Sequence, residues 1–253
     1  MAPSSSAERL AREIEHHRSI ASNAELIWNW DSPAGRRRAD RRAALFIEHG
    51  RLGRGTRALE LGCGTGVFLE RVAPSLAQTQ GIDLSMDLLT RARARVCRFD
   101  NVRLECGNAE QMPCADNEFD AVYGSSVLHH LHLERALAEA LRVLRPGGRI
   151  VFTEPNILNP QVAFMFHFGL TKRYFGVSPD EMAFSRFAVR RVLLKLGYRE
   201  VSVRPFDFLH PALPSLWIAT VSRVAAILEC LPVVREFAGS LLITARKSHG
   251  EDG

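Results

Sequence analysis

Lysine is scarce in this chain: of its 33 basic residues only Lys172, Lys195 and Lys247 are lysines, the rest being arginines. The excess of base over acid is only +5 across 253 residues. That is too mild to call for a nucleic-acid partner, yet enough to steer a small anion. Cysteine is sparse too. Cys63, Cys97, Cys106, Cys114 and Cys230 show no CxxC spacing and are odd in number. The pattern argues against a thiolate zinc cage or a disulfide framework, and for reduced thiols in the cytoplasm. Long hydrophobic runs are missing as well. The opening MAPSSSAERLAREIEHHR lacks the apolar core of a secretory signal. The most apolar window, 212–234, carries Arg223 and Glu229 and is interrupted by Pro214 and Pro232, so no integral membrane segment is expected. It still suits a surface-lying amphipathic helix, placed against a lipid surface or a second copy in a homodimer.

What is present is ordinary globular composition, 46% apolar and 24% charged, with length enough for a large core. Ser6 is placed to cap a helix running to about Trp28, with Leu10, Ile14, His17, Ala21, Ala24 and Trp28 near one face. Asp31-Ser32-Pro33 starts a fresh helix that carries Arg36, Arg37, Arg38, Arg41 and Arg42 before an apolar end. From about residue 57 short strands and helices alternate. Strands are expected at 57–61, 79–84, 101–107, 119–126, 149–155, 201–208 and 240–247, and helices at 64–72, 85–96, 133–144 and 187–197. Such alternation means an α/β fold, a parallel sheet with helices on both faces. Two stretches break the rhythm, 156–185 and 209–236.

The first strand runs into LELGCGTGVF, where Gly62, Gly64 and Gly66 let the backbone turn tightly beside a ligand. The spacing is GxGxG, and Val67 occupies the place where a dinucleotide fingerprint needs a small residue. Asp83 ends the second strand, where a carboxylate can take both hydroxyls of a ribose; standing alone it is equally a turn carboxylate. Asn108, Ala109 and Glu110 follow the third strand, as an adenine edge or a solvated turn. With FDAV…LHHL and LRPGG, these blocks closely resemble the class I S-adenosylmethionine-dependent methyltransferases over about 57–155.

That resemblance implies a Rossmann-like, doubly wound seven-stranded sheet, mostly parallel with an antiparallel last strand. It implies a helical lid over 1–50 and a methyltransferase domain over 51–247 whose two insertions extend the lid. S-adenosyl-L-methionine is the implied cofactor. Glu60, Gly62, Cys63, Gly64 and Gly66 would hold its methionine part, Asp83 its ribose, and Leu84 would pack on adenine. Asn108, Ala109 and Glu110 would flank the adenine, and Ser125 would sit near the amino-acid portion. The implied reaction moves a methyl group to a small-molecule acceptor, most simply an oxygen of a glycosylated, lipid-linked or anionic metabolite. C- or N-methylation of a quinone-like molecule is the other enzymatic reading, and a cofactor-binding regulatory protein without transfer is the reading from another class.

VLHHLHLE crowds His129, His130 and His132 at the exit of the fourth strand, on the edge where open parallel sheets bind ligands. His129 or His130 can serve as a base near neutral pH, with Glu154 at the end of the fifth strand orienting it or holding a substrate hydroxyl. Alternatively one ring packs on the sheet and the other bonds backbone. No metal is expected on these three, since positions i, i+1 and i+3 converge poorly. The arginines at 36–42 form a solvated face from which one or two can reach a carboxylate, a phosphate or the cofactor's own carboxylate. Trp28 and Trp30 close the pocket or simply pack. Phe164, Met165, Phe166, His167, Phe168, Tyr174 and Phe175 form a lid over an apolar acceptor or the insertion's own small core, with Lys172, Arg173 and Arg186 as anion contacts.

Overall fold

The computed structural model describes residues 6–167 and 182–249. The expectations for Phe168, Lys172, Arg173, Tyr174 and Phe175 lie outside the described residues. Seven strands form one sheet: β1 (Arg57–Leu61), β2 (Gln78–Asp83), β3 (Val102–Cys106), β4 (Phe119–Ser125), β5 (Leu144–Pro155), β6 (Arg199–Phe206) and β7 (Ser240–Arg246). Their spatial order is β3-β2-β1-β4-β5-β7-β6. Only β7 runs antiparallel to its neighbours, as the sequence predicts. The chain winds outward from β1 to β3, then returns to the other side of β1 with β4. Between the carboxyl ends of β1 and β4 lies the switch point where such sheets open a crevice.

Nine α-helices are described: α1 (Ser6–Ile20), α2 (Ala24–Ile27), α3 (Pro33–Gly50), α4 (Val67–Val72), α5 (Met86–Val96), α6 (Leu133–Val143), α7 (Pro160–His167), α8 (Arg186–Lys195) and α9 (Ser215–Cys230). Alternation along the strands divides the core into two layers. Leu59, Leu61, Val122, Ile150 and Phe152 meet Ala136, Leu137 and Ala140 of α6 and Val189 and Leu193 of α8. On the other face Ala58, Ala121, Tyr123 and Val151 meet Ala39, Ala43 and Phe46 of α3 with Val67, Phe68 and Val72 of α4. Burial on both faces is why the strands are apolar runs rather than alternating ones. Among the described residues no helix is long and apolar enough to cross a membrane.

Two local features, the break in the first helix and the early start of β5, differ from the sequence expectation, while the start of α3 follows it. The helix to Trp28 breaks at a 3-10 turn, Ala21–Asn23, because Ser22 and Asn23 favour turns over helix interior. After α2, Asn29 takes φ +59 and the chain doubles back onto α3, whose Ser32 caps it by accepting from Gly35 N at 2.9 Å. A Cβ on Gly35 would lie 1.7 Å from the Asn29 carbonyl oxygen, so only glycine permits this approach. Finally, β5 begins at Leu144 and not at 149, pairing with Phe119 before the Pro-Gly-Gly turn bulges out and pairing resumes at Ala121 with Arg149.

Phe46 is fully buried between the Phe68 and Tyr123 rings, 5.5 and 5.2 Å away. Phe46→Ala should cost about 3–5 kcal/mol in urea unfolding, whereas exposed Phe187→Ala should change stability by no more than about 0.5 kcal/mol. Equal losses would contradict the placement of this core.

Candidate functional site

At the switch point a cavity of about 600 Å³ opens, within the range that holds a drug-sized ligand. One wall is the glycine loop. Gly62, Gly64 and Gly66 hold φ of +61, +51 and +79, which delays α4 to Val67. A Cβ on Gly62 would fall 2.3 Å from Val127, so the loop and the β4 exit pack with no room for a side chain. Asp83 braces the loop from β2: its Oδ2 accepts from Gly64 N at 2.8 Å and its Oδ1 from Ser85 N at 2.9 Å. Burial pushes this carboxyl up from its ordinary value, and those two amides work against the rise. Asp83 lines the cavity, and a carboxylate oxygen can accept more than one hydrogen bond.

Cys63, Leu84, Asn108, Ala109, Glu110 and Ser125 line the same cavity. Asn108 Oδ1 accepts from Glu110 N at 2.9 Å, closing a tight turn. The Glu110 carboxylate is occupied by the Arg9 guanidinium and by the His132 amide, so it fastens α1 and the start of α6. Glu60 departs from expectation. It faces the sheet layer beside Tyr123, its cross-strand partner, and is not among the cavity-lining residues. Burial drives its carboxyl well above the usual range, and nearby Asp83 adds to the rise.

The β4 exit is held by Glu154. Its Oε1 accepts from Val127 N at 2.9 Å and Leu128 N at 2.8 Å, and its Oε2 lies 2.8 Å from His129 Nδ1. Both side chains are buried, but only His129 lines the cavity. Glu154, expected to orient an imidazole or hold a substrate hydroxyl as part of the catalytic set, spends its oxygens on the loop and the His129 ring. His129 lies edge-on to Phe166 of α7. His132 is exposed at the start of α6 and takes no part in the cavity.

His130 packs its ring beside that of His129, centroids 4.2 Å apart, and reaches α1. Its Nδ1 lies 3.1 Å from Glu13 Oε2, its carbonyl accepts from Arg9 at 2.8 Å, and its ring meets His17 edge-on at 5.7 Å. Burial, His130 and His16 pull His17 down to about 4 against the opposing effect of Glu13, so it is neutral at physiological pH. Trp28 completes this side, its ring 3.3 Å from where a Gly64 Cβ would stand.

Across the cavity sits a buried arginine that the sequence presents only as one of a run. Arg42 donates to Ser125 Oγ and Ser240 Oγ, both at 2.8 Å, while Asp207 accepts from Arg38 Nε at 2.8 Å and from Arg42 at 3.4 Å. Burial, then the neighbouring Arg38, lowers the Arg42 guanidinium to about 10, still charged at neutral pH. The signal was available: Arg42 shares a helical stripe with Ala39, Ala43 and Phe46, where a charge is anomalous unless it has a partner. Arg9, Glu13 and Asp207 carried no comparable signal. Asn29, Ser126 and Asp207, all lining the cavity, hold φ of +59, +55 and +74, and strain of this kind gathers at functional sites.

A family profile described as "Methyltransferase domain" matches residues 59–152. A demethylmenaquinone methyltransferase of Tropheryma whipplei (strain Twist) is 38% identical over 101 residues, covering 40% of this chain and 42% of that protein. One from Staphylococcus aureus (strain JH9) is 28% identical over 173 residues, covering 60% and 72%. With the first curated relatives the shared stretch is less than half of their length. The crystal structure of N-methyltransferase NodS from Bradyrhizobium japonicum WM9 with S-adenosyl-L-homocysteine superposes with a TM-score of 0.63 at 20% identity, over 92% of this chain and 97% of that one. That likeness is one of fold.

Burial alone would raise the Asp207 carboxyl, but Arg38, Arg42 and Arg41 bring it below its ordinary value. The pairing therefore stabilises the fold above the unfolded carboxyl range and is lost as pH falls through the folded value. Asp207→Asn, which strands buried Arg42, should cost about 3–5 kcal/mol at pH 7 and much less near pH 3. An equal loss in denaturant melts at both pH values would contradict this network.

Proposed function

We propose that the chain is a class I S-adenosylmethionine-dependent methyltransferase that methylates a hydroxyl oxygen of a small anionic acceptor, with His129 taking the proton. The observation that carries this reading is the His129 Nδ1 to Glu154 contact of 2.8 Å, on a ring that lines the cavity. An imidazole fixed by a carboxylate at Nδ1 presents Nε2 to the acceptor, the arrangement a general base requires.

When bound, S-adenosyl-L-methionine supplies an electrophilic methyl group on a sulfonium. Support for the fit comes from the glycine cradle, which a Cβ at Gly62 would fill, and from Asp83 at the end of β2. In this reading Asp83 holds the ribose hydroxyls, Leu84 and Ala109 cover the adenine, and the amides of the 62–66 loop with Ser125 meet the methionine part. Arg38 and Arg42 share the single carboxylate of Asp207 and leave one unit of positive charge at the cavity wall, which favours an acceptor bearing a carboxylate or phosphate. Phe166 and Met165 exclude water from the acceptor side.

The covering part of the 1–50 segment is α1 to Trp30, because α3 packs in the sheet core. Five free thiols support a reducing, cytoplasmic setting. A second reading is C- or N-methylation of a quinone-like acceptor, favoured by the names of the curated relatives and by a cavity lined with Trp28, Trp30, Phe166 and Phe208. There the proton leaves carbon or nitrogen after the methyl has moved and can pass to water, so His129 need not take it.

Thermal unfolding should shift upward with S-adenosyl-L-homocysteine, by about 2.7 kcal/mol of stabilisation at a hundred times Kd, and not with NAD. A response to NAD alone would overturn the cofactor assignment. His129→Asn should keep that shift while lowering kcat about 10²–10⁴-fold, as read by radiolabelled methyl incorporation across a panel of acidic phenols and hydroxy acids. Near-normal turnover in this variant would hand the case to the second reading.

A further inference from the structure

Glu13 and His17 stand four residues apart on α1 and so share a helical face. His130 meets them from the β4 exit, and one ligand atom from each of the three lies within 4.8 Å of the other two. Among the described residues this is the grouping of metal-ligating side chains that converges. The spacing within 129–132 could not show it, because two members come from a helix more than a hundred positions away.

Two further observations separate this group from a chance polar contact. His17 Nδ1 is buried and has no hydrogen-bond partner, a condition that costs about 1–3 kcal/mol unless something occupies it. All three residues also line the cavity, so a bound ion would keep coordination positions open to solvent or ligand. Glu13 is buried, where a carboxylate is stabilised by a cation. The donor set is two imidazole nitrogens and one carboxylate oxygen. Imidazole suits Zn²⁺, Co²⁺ and Ni²⁺, whereas Mg²⁺ and Ca²⁺ prefer sets made of oxygen.

We infer that Glu13, His17 and His130 form a divalent transition-metal site that fastens α1 to the β4 exit across the cofactor cavity. The ion would bridge two parts that also meet through the Glu13–His130 contact and the Arg9 contacts to Glu110 and to the His130 carbonyl. It would thereby hold the covering helix down. The site is independent of the methyl-transfer reading, and its test needs no turnover.

The full chain, stripped with a chelator, is titrated with CoCl₂ by calorimetry and followed by visible absorption. The expected result is one Co²⁺ per chain, with d–d bands and no thiolate-to-cobalt charge transfer, displaced by Zn²⁺ and not by Mg²⁺. His17→Ala and Glu13→Gln should each weaken binding about ten-fold or more, with circular dichroism and thermal melting reporting that each variant is folded. Absence of binding, retention of it in both folded variants, or a thiolate band pointing to the exposed cysteines would each overturn the inference.

Discussion

The site depends on one buried carboxylate. Glu154 ends β5 with almost no solvent contact, where an unpaired charge would be untenable. It gathers the amides of Val127 and Leu128 and the imidazole of His129, so three consecutive residues of the β4 exit are fixed by one side chain. The consequences spread from there. Val127 stands against Gly62, so the form of the glycine loop follows from where Glu154 holds the exit. Ser126 keeps its left-handed backbone because its neighbours are pinned and its own amide donates to the Thr153 carbonyl at 2.7 Å. His129 and His130, adjacent in sequence, keep their ring centroids 4.2 Å apart, yet His129 Nδ1 meets Glu154 and His130 Nδ1 meets Glu13 of α1.

A second set of charges balances the opposite wall. Arg42 could not lie in the α3 core stripe without Asp207, Ser125 and Ser240, which come from three different parts of the chain. This network joins α3 to β4 and β7 and gives the cavity its positive side, while Asp83 supplies the negative side beside the glycine loop. A ligand with a cationic centre and an acceptor with an anionic one would each meet the wall that suits it. The same division of charge explains why the 36–42 arginines separate by role: Arg38 and Arg42 turn inward, and Arg41 pairs with Glu229 at the base of α9.

Much of this was legible before any coordinates. The strands follow from apolar runs between turn residues, and Ser32-Pro33 and Ser85 announce their helices through side chains that accept backbone N–H groups. The glycine spacing and Asp83 point to the cavity because both are local features of one strand-turn-helix unit. Glu154 and His129 were within reach because they end neighbouring strands. Residues that meet only through tertiary packing were not legible: Glu13 and His17 give no sign that His130 will face them. Glu60 was misread for a different reason. It belongs to the motif, but strand alternation turns it to the face of Ala58, away from the cavity. Arg42 was visible as a charge in an apolar stripe, but the partner that makes it tolerable, Asp207, lies 165 positions on.

If Glu154 organises the site, then the imidazole of His129 must carry its proton on Nδ1, leaving Nε2 as the acceptor. Nitrogen-15 NMR of the histidine side chains, with His129 assigned by substitution, reads this tautomer directly. The account predicts Nδ1–H for His129 at neutral pH, with Glu154→Gln shifting the ring toward a mixture of tautomers. A ring protonated on Nε2 in the unaltered protein, or one indifferent to Glu154→Gln, would contradict it.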